Sequence, residues 1–181
     1  MKNFMKKALL KKSNAFIIEG ISGIMLGALA GVFIIAAGVA IFYSARSNSN
    51  VLQFQSEIIQ LSSSVSSLFN GSTTGYGDLT NEIAIKGGAV PTTLIKGNNL
   101  VNVWGGTITL TPGEDNSSFF IELTNIPDKE CGRLAAGTAR SQVDNLIRLS
   151  INNSVLSKDF STADVINLCN AGKNTLKYEI R

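Results

Sequence analysis

A run of 24 residues without a charged side chain, from Gly20 to Tyr43, constrains this chain more than any other feature. At about 1.5 Å per residue, a helix of this length crosses the roughly 30 Å hydrocarbon core of a bilayer. A secretory signal peptide also has a basic start and an apolar core, but that core is only about 7–15 residues long. The length therefore favours a membrane-spanning helix over a cleaved signal.

The charge distribution predicts an orientation for this helix. Five lysines and no acidic residue precede residue 13, whereas only Arg46 closely follows the apolar run. This asymmetry predicts a cytoplasmic N-terminus and a C-terminal domain outside the cytoplasmic membrane. The chain has 16 basic and 13 acidic residues. Without the five N-terminal lysines, 11 basic and 13 acidic residues remain, a net charge of −2. We therefore predict no direct nucleic-acid binding, which needs a basic face on the folded part.

The absence of histidine excludes much of enzyme chemistry. Serine or cysteine nucleophiles activated by histidine, histidine proton shuttles and histidine metal ligands cannot occur. The acidic pair Glu114-Asp115 lies in a turn, and Asp128 with Glu130 suits the start of a helix. We predict no enzymatic activity, no cofactor and no metal site.

Cys131 and Cys169 are the two cysteines of the chain, 38 residues apart. An oxidising compartment outside the membrane permits a disulfide between them. Such a bond would contribute roughly 3–4 kcal/mol in the chain-entropy description. Two buried free thiols are the alternative that the residues leave open.

A single carboxylate, Glu19, stands at the edge of the apolar run. It suits an interfacial helix start, where the helix dipole favours negative charge. Alternatively, the Glu19 carboxylate pairs with a positive group of another copy, because an unpaired carboxylate in a bilayer costs a few kcal/mol. The lysine-rich leader, the segment Ala15-Phe16-Ile17-Ile18-Glu19, the glycine-punctuated apolar helix and the downstream cysteines together resemble a type IV prepilin.

The resemblance extends to the type IVb branch, including the conjugative thin-pilus and bundle-forming pilins. The segment Val103-Trp104-Gly105-Gly106 after the Val90-Pro91 turn is similar to that branch. The first mature residue is not Phe, which is a further similarity to it. The resemblance implies that a prepilin peptidase cuts between Asn14 and Ala15 and that Ala15 is then N-methylated. The family has Gly before the cut, where this chain has Asn14.

The resemblance also implies an assembly chemistry. The Glu19 carboxylate of one subunit would pair with the Ala15 ammonium of its neighbour and set the register, because either charge is costly in an apolar setting. Gly23, Gly27 and Gly31 recur at a spacing of four, which permits close helix packing in lipid. The same glycines permit local loosening of the helix instead.

The pattern of the remaining residues predicts a helix followed by strands. Apolar residues at helical spacing after the membrane segment are Val51, Phe54, Ile58, Leu61, Val65 and Leu68. We predict one helix over 15–69, with 15–43 in the membrane or filament core and 44–69 packed on a sheet. Strand-like alternations contain Ile108 and Leu110; Phe119, Ile121 and Leu123; Ile147, Leu149 and Ile151; and Leu176, Tyr178 and Ile180. They predict an antiparallel sheet with one covered face.

The predicted layout is a leader over 1–14, the helix over 15–69, an αβ-loop over 70–100 and a sheet head over 101–181. Residues 79–100 read as surface loop. The cysteines bound the region 131–169, with short helices at 128–136 and 161–169, the second capped by Ser161 or Thr162. Trp104 suits core or sheet packing. The fold class is α+β, type IV pilin-like.

The predicted function is structural. The resemblance implies a pilin that is stored in the inner membrane and polymerises into an extracellular filament for adhesion, aggregation or conjugative contact. Its partners would be other copies, membrane lipid before assembly, a prepilin peptidase, and an inner-membrane assembly platform with its ATPase. A minor pilin or secretion pseudopilin, and an uncleaved single-pass membrane protein with an exported binding domain, are the alternatives.

Overall fold

The apolar stripe after Asn50 forms a helix because its spacing places the apolar side chains on one face. The computed structural model describes residues 49–142, 145–156 and 159–181, and the chain is helical over 49–69 (α1). The buried apolar side chains of α1 are Val51, Phe54, Ile58, Leu61 and Val65. Leu68, which the spacing also predicts on this face, is 40% exposed. Within the described residues, no helix is both long and apolar enough to span a bilayer.

The described part of the chain is an α+β fold with a central antiparallel sheet, as the sequence predicts. The further helices are α2 (Asn81–Lys86), α3 (Asp128–Ser141) and α4 (Thr162–Leu168), with a 3-10 turn at Thr92–Leu94. The strands are β1 (Ile95–Lys96), β2 (Asn99–Leu100), β3 (Ile108–Pro112), β4 (Phe119–Pro127), β5 (Leu146–Ile151), β6 (Ser154–Leu156) and β7 (Lys173–Ile180). β1 and β2 form a hairpin, and the main sheet has the order β3-β4-β7-β5-β6. The buried residues of α1 and of this sheet belong to one hydrophobic core.

The burial pattern of the strands follows the predicted alternation in β3, in the paired part of β4 and in most of β7. Ile108 pairs with Leu123, for example, and both side chains are buried. β5 departs from the prediction, since Leu146 is buried and Ile147 is only half-buried. The reason is a register shift against β7 between Leu146 and Arg148, which is typical of a β-bulge.

The prediction of a surface loop over 79–100 is corrected by the structure. This segment contains α2, the 3-10 turn and the β1–β2 hairpin. Its buried residues, all part of the core, are Leu79, Ala84, Ala89, Val90, Leu94 and Leu100. They are spaced too irregularly to produce a helix or strand period, so only tertiary packing reveals their role.

Asn81, at the start of α2, completes the outer edge of the sheet. Its side-chain amide donates to the carbonyl of Ile108 at 2.8 Å, and its Oδ1 accepts from the N–H of Leu110 at 2.8 Å. One side chain thus occupies two of the hydrogen-bonding groups that an added strand would use. Edge strands without such cover are sites of unwanted pairing.

The turn before β3 holds Trp104 against α1. Oδ1 of buried Asn102 accepts from the N–H groups of Trp104 and Gly106 at 3.0 and 2.9 Å, and its amide donates to the Thr124 carbonyl at 2.7 Å. A Cβ on Gly106 would lie 1.9 Å from that carbonyl oxygen, so only glycine fits. The ring of Trp104 contacts Phe54 edge-on, with centroids 5.3 Å apart. Trp104 therefore packs structurally, as the sequence predicts.

The central strand β7 contributes two buried polar groups with defined partners. The Tyr178 hydroxyl donates to the carbonyl of Leu134 at 3.3 Å, which ties β7 to α3, and burial raises the pKa of Tyr178. Glu179 accepts hydrogen bonds from Arg148 and from Ser118. Burial alone would raise the pKa of Glu179, but these two partners outweigh it, so its pKa lies below the ordinary value.

We expect Phe54→Ala to lower the free energy of unfolding by about 3–5 kcal/mol, because it leaves a cavity under α1 and removes the contact with Trp104. Leu52→Ala is the matched control on the same helix: Leu52 is 63% exposed, and the change should stay within about 0.5 kcal/mol. Urea titration of the purified full-length chain with pulse proteolysis measures both. Equal effects of the two substitutions would contradict the proposed packing of α1.

Glu179→Gln should lower the free energy of unfolding at pH 7 by about 1–3 kcal/mol, because the charged hydrogen bonds from Arg148 and Ser118 are lost. The folded-state pKa of Glu179 lies below the ordinary value of a glutamate carboxyl. The wild-type advantage should therefore be complete above that value and disappear as the pH falls through the lower folded-state pKa. The free energies of unfolding of the two proteins, measured from pH 7 to pH 3, should converge in acid. A difference that stays constant with pH would contradict the stabilising role of the Glu179 carboxylate.

Candidate assembly surface

A disulfide fastens the two C-terminal helices together. Cys131 is buried in the first turns of α3, and Cys169 follows directly after α4. Their sulfurs are bonded, with the Cα atoms 6.0 Å apart. Ser161 caps α4 by accepting from the N–H of Asp164, whose carboxylate in turn accepts from the N–H of Ser161, a full capping box. The disulfide and the cap together fix the position of α4 on α3.

A groove of about 630 Å³ lies beside this disulfide, between α1, α3 and α4. Gln55 of α1, Gly137 of α3 and Ile166 of α4 are among its lining residues. A Cβ on Gly137 would lie 2.6 Å from Oε1 of Gln55, so the Gln55 side chain of α1 lies directly against the backbone of α3 here. The Gln55 amide also donates to the Ser141 hydroxyl at 3.2 Å.

The groove is mainly cationic. It is lined by Lys129, Arg133 and Arg140, with Asp128 as the acidic lining residue. Arg140 donates to the Thr162 hydroxyl at 2.5 Å, which links α3 to α4. Lys129 is exposed, and its ammonium makes no ion pair or side-chain hydrogen bond with the residues that the structure describes.

A second groove, of about 420 Å³, runs along the other side of α1. Glu57 and Gln60 of α1 line it together with the segment 90–93. Glu57 is only 8% exposed, which is unusual for a carboxylate. Its Oε1 accepts from the Gln53 amide at 3.0 Å, but its Oε2 is buried and has no hydrogen-bond partner within the described ranges.

The two grooves lie on opposite flanks of α1. Successive residues of an α-helix are rotated by about 100°, so Gln55 and Glu57 are separated by about 200°. Gln55 faces α3 and Glu57 faces the segment 90–93. We call these the cationic flank (Lys129, Arg133, Arg140) and the Glu57 flank (Glu57, Gln60, 90–93).

The residues predicted to act in processing and helix packing lie outside the described part of the chain. These are Asn14, Ala15, Glu19, Gly23, Gly27 and Gly31, together with the predicted leader over 1–14 and membrane segment over 15–43. Cys131 and Cys169 do lie within it, and the structure brings them together in a disulfide. Within the described residues, no group of three or more histidine, cysteine or acidic side chains is arranged for a metal ion.

The sequence analysis did not identify the Glu57 flank, although one signal was available. Glu57 is the one charged residue between Arg46 and Asp78, and it directly precedes Ile58 of the apolar stripe. An acidic residue next to a buried helix face is a candidate for partial burial. Lys129 carries no comparable signal, since an exposed lysine in the first turn of a helix is ordinary.

A comparison with protein-family models gives a match that covers most of the chain. The family model described as PilS N terminal matches residues 47–180. The matched range begins immediately before α1 and ends with β7, so it includes both flanks and the disulfide. Among curated proteins, no sequence matches the chain.

Reduction of the disulfide, or joint Cys131→Ser and Cys169→Ser substitution, should lower the free energy of unfolding by about 3–4 kcal/mol. The bond restricts a 38-residue separation in the unfolded chain. Urea unfolding of the full-length chain with and without dithiothreitol measures the effect. The double serine variant is the control, since its stability should not respond to dithiothreitol; an unchanged wild-type curve would contradict the expectation.

Proposed function

Since the chain belongs to the PilS N-terminal family and is thus a pilin-type structural subunit, we propose that it is made as a prepilin and polymerises into a type IVb extracellular pilus. The match over 47–180 carries this proposal, because it spans the described head from α1 to β7. The uncharged run from Gly20 to Tyr43 directly precedes the matched range. A membrane-stored head joined to an apolar segment is the arrangement that filament assembly requires.

We place the assembly chemistry in the N-terminal segment. A prepilin peptidase cuts between Asn14 and Ala15, and the new Ala15 amine is N-methylated. The Glu19 carboxylate pairs with the Ala15 ammonium of a neighbouring subunit and thereby sets the register. Gly23, Gly27 and Gly31 let the apolar segments of neighbouring copies approach closely.

The subunit has two locations in this proposal. The precursor sits in the inner membrane with its N-terminus in the cytoplasm and its head in the periplasm. An inner-membrane assembly platform and its ATPase then move it into the pilus. The Cys131–Cys169 disulfide suits a head that is exported to an oxidising compartment. The pilus serves adhesion, aggregation or conjugative contact, and the subunit carries out no catalysis.

Asn14 supports a second candidate function. Because the family has Gly before the cut, Asn14 favours an uncleaved single-pass membrane protein whose exported head binds a ligand. A minor pilin or pseudopilin that begins or caps a short fibre is a variant of the first proposal. Surface abundance separates the minor from the major subunit, and N-terminal processing separates both from the uncleaved anchor.

Intact mass and N-terminal sequence of the protein from membrane and sheared-fibre fractions test the proposal. We expect a chain that begins at N-methylated Ala15 in the sheared fraction. Asn14→Gly should raise the processed fraction, whereas Glu19→Gln should be processed but largely missing from sheared fibres, because its register pair is lost. A chain that keeps Met1 to Asn14 and stays in membranes would overturn the filament role and favour the anchored head.

A further inference from the structure

We propose that the Glu57 groove binds the Lys129 ammonium of a second copy of this chain, so that the two flanks of α1 join neighbouring heads. The inference rests on the proposed filament function, since it assigns a head contact within the pilus. Glu57 is 92% removed from solvent and one of its carboxylate oxygens has no partner within the described residues. A buried carboxylate without a full set of partners is costly, and a cationic partner offsets that cost.

The lining of the groove fits an ammonium group at the end of an aliphatic stem. The Glu57 carboxylate, the Gln60 amide oxygen and the hydroxyls of Thr92 and Thr93 are all acceptors. A lysine ammonium has three donors and accepts nothing, so it matches an acceptor-rich site. The apolar side chains of Val90 and Pro91 line the same groove and can contact the lysine methylenes.

Among the described lysines, Lys129 fits this role because it is exposed, lines the cationic groove and makes no ion pair with a described residue. Lys86 is paired with Glu82 at 2.5 Å, and Lys177 lies 3.7 Å from Glu122 and over the ring of Phe120. Lys96 lies on β1 and Lys173 on β7, and neither lines the cationic groove. Lys129 lies across α1 on the cationic flank.

A contact between opposite flanks has a consequence for assembly. The surface that donates Lys129 differs from the surface that contains Glu57, so each copy keeps one free flank after the first contact. Such heterologous contacts add subunits without limit unless the ring closes, and they generate helical filaments. The inferred pair therefore supports continued growth, whereas a self-complementary patch would stop at a dimer.

A double-mutant cycle in fibre-producing cells tests the pair. Glu57→Gln and Lys129→Gln should each reduce the yield of sheared fibres about tenfold or more, because each leaves the other charge unpaired at the interface. The fibre yield of the double variant should be no lower than that of either single variant, since all three lose the same interaction. Lys96→Gln and Glu114→Gln are the matched controls and should keep wild-type yield. Limited proteolysis of the full-length chain in membranes should show an intact head for each variant.

Cross-linking tests the contact directly. Cells that produce Thr93→Cys and Asp128→Cys on separate chains, both of which keep Lys129, should give an intermolecular cross-link in fibres with a short bismaleimide, and cells with either variant alone should not. The native Cys131–Cys169 pair is unchanged in both variants. Normal yield in the Lys129→Gln variant, or no cross-link from the mixed cells, would overturn the inferred contact while the pilus proposal stands. Wild-type cells without sheared fibres would instead overturn the filament function, and the contact with it.

Discussion

The packing of one face of α1 on the sheet is the contact on which the remaining structure depends. A sheet with one apolar face must be covered, and α1 supplies that cover along five buried positions from Val51 to Val65. Trp104 contacts Phe54, and the Gln55 side chain of α1 lies against Gly137 of α3. Because α1 lies at the centre of these contacts, its two sides become the long grooves of the head. The same helix thus determines the core and the surface.

The disulfide and the polar networks have separate roles around this core. Cys131–Cys169 joins α3 to the end of α4. Beyond it, the buried Asn174 amide accepts from the N–H of Asn170 at 2.7 Å and from the Asn152 amide at 2.7 Å. The loop after the disulfide is therefore held by hydrogen bonds to Asn174 of β7, which also accepts from Asn152 in the turn after β5. Covalent and polar restraints together order a region with few large apolar side chains.

The sequence predicted those features that have a local period or a local chemical signal. The stripe of α1, the alternation of β3 and β4, and the cap at Ser161 all belong to this class. Features created by tertiary contacts were missed: the core residues within 79–100, and the bulge that buries Leu146 in place of Ile147. The Glu57 groove needs two segments whose residues are 30 to 36 positions apart in the chain, so no short window of sequence contains it. The N-terminal assembly residues were predicted from resemblance and lie outside the described residues.

The central position of β7 has a consequence for the order of folding. β7 pairs with β4 on one side and with β5 on the other, yet it follows the other strands of the sheet along the chain. The sheet cannot close until β7 is available, and such long-range pairing is slow. Both cysteines precede β7 in the chain, so they can be linked while the sheet is still open. Loss of β7 would remove the middle of the sheet and not its edge.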